Sequence, residues 1–253
     1  MTIIRDFEVG AVADALISLD GGQVFVRNGD AASISVEVDG RDDDWEVSQL
    51  GPSVIVRPTR RRRIRAARIS VSVPMGCHVD VQAVSADIRL DGRFGRTNLK
   101  TVSGDIELGD VDELELSSTS GDLRAGDVDG DMTIRTISGD IRAGAIGGRV
   151  GLTTTSGDVR VDRVGGDLTA STVSGDLRVE RFEGDDLTVK TVAGDLDVGL
   201  PAGIRVSPNI VTFSGDTRMP PRRDDPEPSV PRRRVALAFK SVSGDITIRR
   251  LDA

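Results

Sequence analysis

A Ser-Gly-Asp triplet returns along this chain at a near-constant step. Counted on its aspartate, the series is Asp87 (in Ser-Ala-Asp), Asp105, Asp122, Asp140, Asp158, Asp176, Asp195 (in Ala-Gly-Asp), Asp216 and Asp245. The intervals are 18, 17, 18, 18, 18, 19, 21 and 29 residues. Self-similarity at a fixed step marks a stack of like units, each stable only against its neighbours. The apolar positions inside a unit are fixed as well. After Asp140, Ile141 and Ala143 alternate, Ile146 follows, then Val150 and Leu152 alternate. Leu123, Ala125, Val128, Met132 and Ile134 take the same places one unit earlier; Val159, Val161, Val164, Leu168 and Ala170 take them one unit later. Alternation by two is the strand period with one face buried, and no stretch carries the i, i+3, i+4 helical pattern. The expectation is an all-β protein: a single-stranded parallel β-helix, or β-solenoid, with coils of about 18 residues.

The composition fits a thin core. Six Phe, one Trp and no Tyr leave Val, Ile, Leu and Ala to fill it in layers. The expected organisation is one solenoid domain over residues 1–253. Residues 1–83 form irregular N-terminal strands as a cap, 84–199 the regular coils, and 200–253 the terminal coils. Alternating stretches at Gln23–Val26, Ser33–Val38, Ser53–Val56, Ile69–Val73 and Val79–Ala83 are the cap's strands. A Pro- and charge-rich insertion, 219–234, explains the 29-residue interval and reads as a disordered loop off an intact coil.

The triplet itself is turn chemistry. Gly supplies φ > 0, and the Asp and Ser side chains bond backbone groups at the corner. Ser and Thr before the corner, such as Thr153–Ser156, are expected to form hydroxyl ladders between coils. The nine aspartates are therefore read as a structural turn column. The alternative, a cation-binding column, has one carboxylate per corner where a hard cation wants six or more oxygens.

No catalytic set is visible. Cys77 and His78 are the only cysteine and histidine, and as sequence neighbours on a strand they face opposite ways. One of each cannot close a zinc site, and a lone cysteine makes no intrachain disulfide. A hexapeptide acyltransferase would need a six-residue period and a catalytic His in the coils. A polysaccharide-cleaving β-helix would need clustered carboxylates with aromatic rings to hold sugar. The reading is a non-enzyme without cofactor or metal.

The net charge is −8, which excludes nucleic-acid binding by bulk charge. Two arginine clusters stand out: Arg60, Arg61, Arg62, Arg63 and Arg65, and Arg222, Arg223, Arg232, Arg233 and Arg234. They are candidate contacts for an anion, a lipid headgroup surface or an acidic partner. The N-terminal stretch lacks a basic region followed by an apolar run, and no window approaches a membrane span, so a cytoplasmic location is expected.

Several motifs resemble a known bacterial family. They are the repeated Val-Ser-Gly-Asp-Ile and Thr-Ser-Gly-Asp-Leu, the strand ISVSVPMG at 69–76 leading into HVDVQAVSADI at 78–88, and the opening Phe7-x-Val9 with LISLDGGQVFV at 16–26. Together they resemble the β-solenoid family of unknown function labelled "putative adhesin". The resemblance implies a parallel β-helix with irregular N-terminal strands and no established catalytic residues. Its label implies surface attachment. The function expected is a scaffold or protein-interaction module of adhesin-like type, linked to the cell envelope or its regulation, with an unknown protein partner. End-to-end stacking into homo-oligomers, as against a monomer, and a carbohydrate-active β-helix are the alternatives.

Overall fold

The structure, a computed structural model, describes residues 2–10, 13–30, 32–59, 67–202, 204–219 and 234–251. The chain forms two compact units, Met1–Asp129 and Gly130–Ala253. Among the described residues every element is a strand except the 3-10 turn Asp42–Asp44.

The first unit holds β1 (Thr2–Glu8), β2 (Asp14–Asn28), β3 (Ser33–Asp39), β4 (Trp45–Leu50), β5 (Ser53–Pro58), β6 (Ala67–Val73), β7 (His78–Lys100), β8 (Ile106–Ser117) and β9 (Leu123–Ala125). β2 lies between two parallel layers. It pairs with β7 on one side, Ala15 against Val79 and Val24 against Ile88. On the other side Ala15 meets Val54 of β5, and Val24 meets Ile69 of β6. β8 continues the stack on β7, and β9 on β8. Only β1, β3 and β4 run antiparallel, β4 on β5, β3 on β6 and β1 on β3. Residues assigned by sequence to an irregular cap thus contribute parallel layers, and in them the layer order departs from chain order.

The second unit holds β10 (Met132–Arg135), β11 (Ile141–Ile146), β12 (Val150–Thr153), β13 (Val159–Val164), β14 (Leu168–Ser171), β15 (Leu177–Phe182), β16 (Asp186–Lys190), β17 (Leu196–Leu200), β18 (Arg205–Ser214), β19 (Thr217–Arg218), β20 (Arg234–Ser243) and β21 (Ile246–Arg250). They form two parallel columns. Before each corner Met132 lies against Val150, Val150 against Leu168 and Leu168 against Leu187. After each corner Ile141 lies against Val159, Val159 against Leu177 and Leu177 against Leu196. The inward residues form the core. In one layer Val159, Val161, Val164, Leu168 and Ala170 are all at most 6% exposed. Each such aliphatic side chain contributes about 1–3 kcal/mol on burial, which only stacking makes available.

The corner couples one layer to the next. The Asp158 N–H donates to Asp140 Oδ1 at 3.0 Å, Asp176 to Asp158 at 3.0 Å and Asp195 to Asp176 at 2.8 Å. In the first unit Asp105 donates to Asp87 at 3.2 Å and Asp122 to Asp105 at 3.1 Å. The carboxylates are thus lined up within each unit. The hydroxyls divide: Ser120 and Ser156 donate to the Val102 and Ile137 carbonyls of the neighbouring layer, at 3.4 and 3.5 Å, as an inter-coil ladder requires, but the threonines do not. Thr101, Thr136, Thr154 and Thr172 each donate within their own coil to the carbonyl two residues on, at 3.1–3.2 Å. A threonine hydroxyl, carried on Cβ, is short enough to close onto its own turn. The residue before the corner Ser (Ala193 in one coil) is Val84, Val102, Ile137, Val173, Val192 or Val242, each about half exposed, with Thr119 and Thr155 in equivalent places and Phe213, 92% exposed, as the exception. All but Phe213 are β-branched, which suits extended backbone.

The last layers depart from the sequence expectation. Successive Ser-Gly-Asp units were expected to stack in chain order, with 219–234 looping off. Instead β20 pairs with β16 on one side and β18 on the other, and β21 with β17 and β19. The aspartate file confirms the order: Asp245 donates to Asp195 at 2.7 Å, and Asp216 donates to Asp245 at 2.8 Å. Among the described strands the layer order at this end therefore departs from chain order. Residues 220–233 lie outside the described residues.

Among the described residues β18 pairs only with β20, so its far side is an open edge. Ala236 donates to Asp185, and Lys240 accepts from Thr191, so alternate residues of β20 turn toward β16. Leu237 therefore turns toward β18, and its partner Pro208 faces the open side. Proline presents no N–H there and blunts the edge against further pairing. Pro208→Val restores that donor, and the expected outcome is increased self-association by light scattering across a concentration series.

Gly175 shows why the corner glycine is required. Its φ is 126°, and a Cβ would stand 2.3 Å from the Gly157 carbonyl oxygen of the layer beneath. Gly175→Ala is expected to lower stability by about 2–4 kcal/mol, read as a shift of the urea midpoint. Gly151→Ala is the control: its Cβ would meet nothing closer than 3.7 Å, and the midpoint is expected to stay within a few tenths molar.

Candidate functional site

The outward faces of the layers are charged, and arginines and carboxylates pair across them. Glu180 receives Arg178 at 2.7 Å, Arg160 at 2.9 Å and Arg249 at 3.1 Å, from strands of three different layers. Glu183 receives Arg181 at 2.6 Å and Arg163 at 2.9 Å. Hydrogen bonds from Arg178 hold the Glu180 carboxyl below its ordinary range, and those from Arg181 do the same for Glu183. A lowered folded value stabilises the protein above the ordinary glutamate pKa, and that contribution is lost as pH falls through the folded value. Glu180→Gln is expected to cost about 1 kcal/mol at pH 7, with the gap to the parent closing toward pH 3 in thermal unfolding.

In the first unit the regular face gives way to something different. Along the corner file Asp122, Asp105 and Asp87 are followed by Gln23 of β2, opposite Asp87, and then by Arg68 of β6, opposite Gln23. The next outward position runs Arg124, Glu107, Arg89, Phe25 and Ser70. Where a standard coil reads Asp-Ile-Arg, β2 reads Gln23-Val24-Phe25. Its alternation buries Val24 and Val26 and turns Gln23 and Phe25 outward. A half-open groove of about 530 Å³ results, lined by Gln23, Phe25, Arg68, Ser70, Asp87, Arg89, Asp105 and Glu107 together with Val24 and Ile88.

The groove's polar groups are partly committed. Arg68 Nη2 donates to Gln23 Oε1 at 3.2 Å. Arg89, opposite Phe25 in register, is held by Asp91 at 3.0 Å and Glu107 at 2.8 Å. Asp87 Oδ1 accepts the Asp105 N–H, leaving Oδ2 free of that bond. Repeat alignment missed this site because it starts at Asp87. The available signal was an aromatic at an outward strand position within LISLDGGQVFV.

Cys77 and His78 diverge. Cys77 is buried, with its Sγ 3.3 Å from the His78 carbonyl oxygen, while His78 Nδ1 stands 3.6 Å from Asp14 Oδ1 at the surface. Burial, with a smaller effect from the Asp14 charge, pushes the Cys77 thiol up to about 12. A thiol so held is not a nucleophile. Cys77 is expected to resist iodoacetamide at pH 8 in the folded protein and to alkylate fully in 8 M urea (about 8 M, enough to unfold most small domains), followed by intact mass.

Among the described residues no three of His, Cys, Asp and Glu converge to hold a metal ion. Nor is any helix long and apolar enough to cross a membrane. Arg234 is exposed at the start of β20; Arg60–Arg63, Arg65, Arg222, Arg223, Arg232 and Arg233 lie outside the described residues.

A parallel stack with such a site defines an all-β protein of solenoid type. The chain belongs to the Toastrack DUF4097 family, whose model matches residues 17–249. Among solved structures it is similar to a "putative adhesin" from Bacteroides fragilis NCTC 9343, at 12% identity over 99% of this chain and 97% of that one, TM-score 0.48. It is also similar to a "putative adhesin" from Parabacteroides merdae ATCC 43184, at 11% identity over 99% and 96%, TM-score 0.42. A "putative lipid binding protein" from Parabacteroides distasonis ATCC 8503 matches at 10% identity over 99% and 97%, TM-score 0.39. No curated protein matches the sequence.

Proposed function

We propose that this protein is a non-enzymatic interaction module of adhesin-like type, which contacts its target through the groove on the outer face of β2, β6, β7 and β8. The observation that carries the reading is the local break in the repeat. On β13, β15, β17 and β21 the outward arginines and carboxylates pair with one another within and across layers. At Gln23, Phe25 and Arg68 a ring and polar groups stand in a half-open hollow of ligand size instead. A deviation that stability of the stack does not require is where a repeat protein carries recognition. The buried, protonated Cys77 and its outward-turned neighbour His78 supply no reactive pair, which supports a binding role over a chemical one.

The test is co-sedimentation of the purified protein with cell-envelope fractions of the native cell. Saturable binding is expected, with the double variant Phe25→Ala/Arg68→Ala reduced at least about tenfold. Binding unchanged in that variant removes the groove as the contact. Robust turnover in a hydrolase, transferase and lyase screen, abolished by one substitution, removes the non-enzymatic reading.

A further inference from the structure

We infer that the groove binds a neutral pyranose unit of a glycan, an assignment that rests on the interaction-module reading and names its ligand class. Three observations converge. Phe25 is an aromatic placed on an outward strand position and lining the hollow. A pyranose ring presents an apolar face of C–H groups, and the outer face of the half-buried Phe25 ring is a platform for it. The groups around Phe25 are the planar polar kind that pair with vicinal hydroxyls. Gln23 has its Nε2 donors left when Oε1 accepts from Arg68, and Ser70 and Asp87 offer acceptors on either side. A sugar hydroxyl both donates and accepts, so it can use all of these.

The charge pattern selects against the other ligand classes. The lining holds two cations, Arg68 and Arg89, interleaved with three anions, Asp87, Asp105 and Glu107. Arg89 is already neutralised by Asp91 and Glu107. A phosphate or uronate placed on Phe25 would meet Asp87, diagonally across on β7. An ammonium group there would meet Arg68 and Arg89. Like charges at such range cost affinity, whereas an uncharged polyol meets both signs with profit. The hollow, about 530 Å³ and open along one side, suits one or two rings of a longer chain entering from solvent.

The experiment is saturation-transfer NMR and calorimetry with maltohexaose, cellohexaose, laminarihexaose, mannohexaose and N-acetylchitohexaose, each titrated against the full chain. At least one is expected to bind with a dissociation constant on the order of 0.1–1 mM. Phe25→Ala should weaken it at least about tenfold while Phe25→Trp retains it, with both variants matching the parent in circular dichroism and urea midpoint. Arg124→Ala, one layer outside the groove, should bind as the parent does. The inference is overturned if none of the five binds at about 5 mM, if Phe25→Ala binds as tightly as the parent, or if trigalacturonate or trilysine binds more tightly than every neutral glycan. Envelope binding that persists and depends on Phe25 while all five glycans fail would sink the ligand class and leave the interaction module standing. Loss of both would sink the module as well.

Discussion

The structure depends on one coupling: a carboxylate at each corner accepts the backbone N–H of the corner in the next layer. Glycine precedes the aspartate at every corner but the first, where Ala86 precedes Asp87. A side chain at Gly175 would drive into the carbonyl beneath it, and the positive φ is reserved for glycine. Each layer therefore aligns its neighbour through two adjacent residues, one supplying shape and the other an acceptor. With the corner fixed, alternation does the rest, since every second side chain points into a core of aliphatic groups stacked on their like. The arginine and glutamate rows outside are a consequence of the same registration. Glu180 meets arginines from three layers because the corners hold those layers in step.

Much of this was legible in residues 84–199. The core positions Ile141, Ala143, Ile146, Val150 and Leu152 are all buried or nearly so, as their alternation dictates. Two things were not legible. The order of layers was hidden because β20 carries the same signature as any other coil. Val235, Leu237 and Phe239 fit equally well above β18 or beneath it, and nothing local in the sequence distinguishes the two. The destination of the Thr hydroxyls was also misjudged, because local and inter-layer partners are both within reach of a short side chain. Thr154 and its equivalents choose the local carbonyl.

The candidate site was invisible for a different reason. A repeat is recognised by what recurs, and the groove is made by what does not. Gln23 and Arg68 occupy the places that aspartate holds elsewhere, and Phe25 holds an arginine's place. They are seen as equivalents only once strand pairing sets β2 and β6 beside β7. The Cys77–His78 pair shows the converse: conspicuous in composition, yet divided by strand geometry into a packed thiol and a surface imidazole.

The displaced layer has a bearing on how the protein is made. A stack laid down in chain order can settle one rung at a time as it leaves the ribosome. Here β18 and β19 are synthesised before the strands they rest on. Until residues 234–250 emerge, that rung has no floor. Completion of this end is therefore a late, concerted event: in a chain ending near residue 219, β16 and β17 lack their partners β20 and β21, and so do β18 and β19.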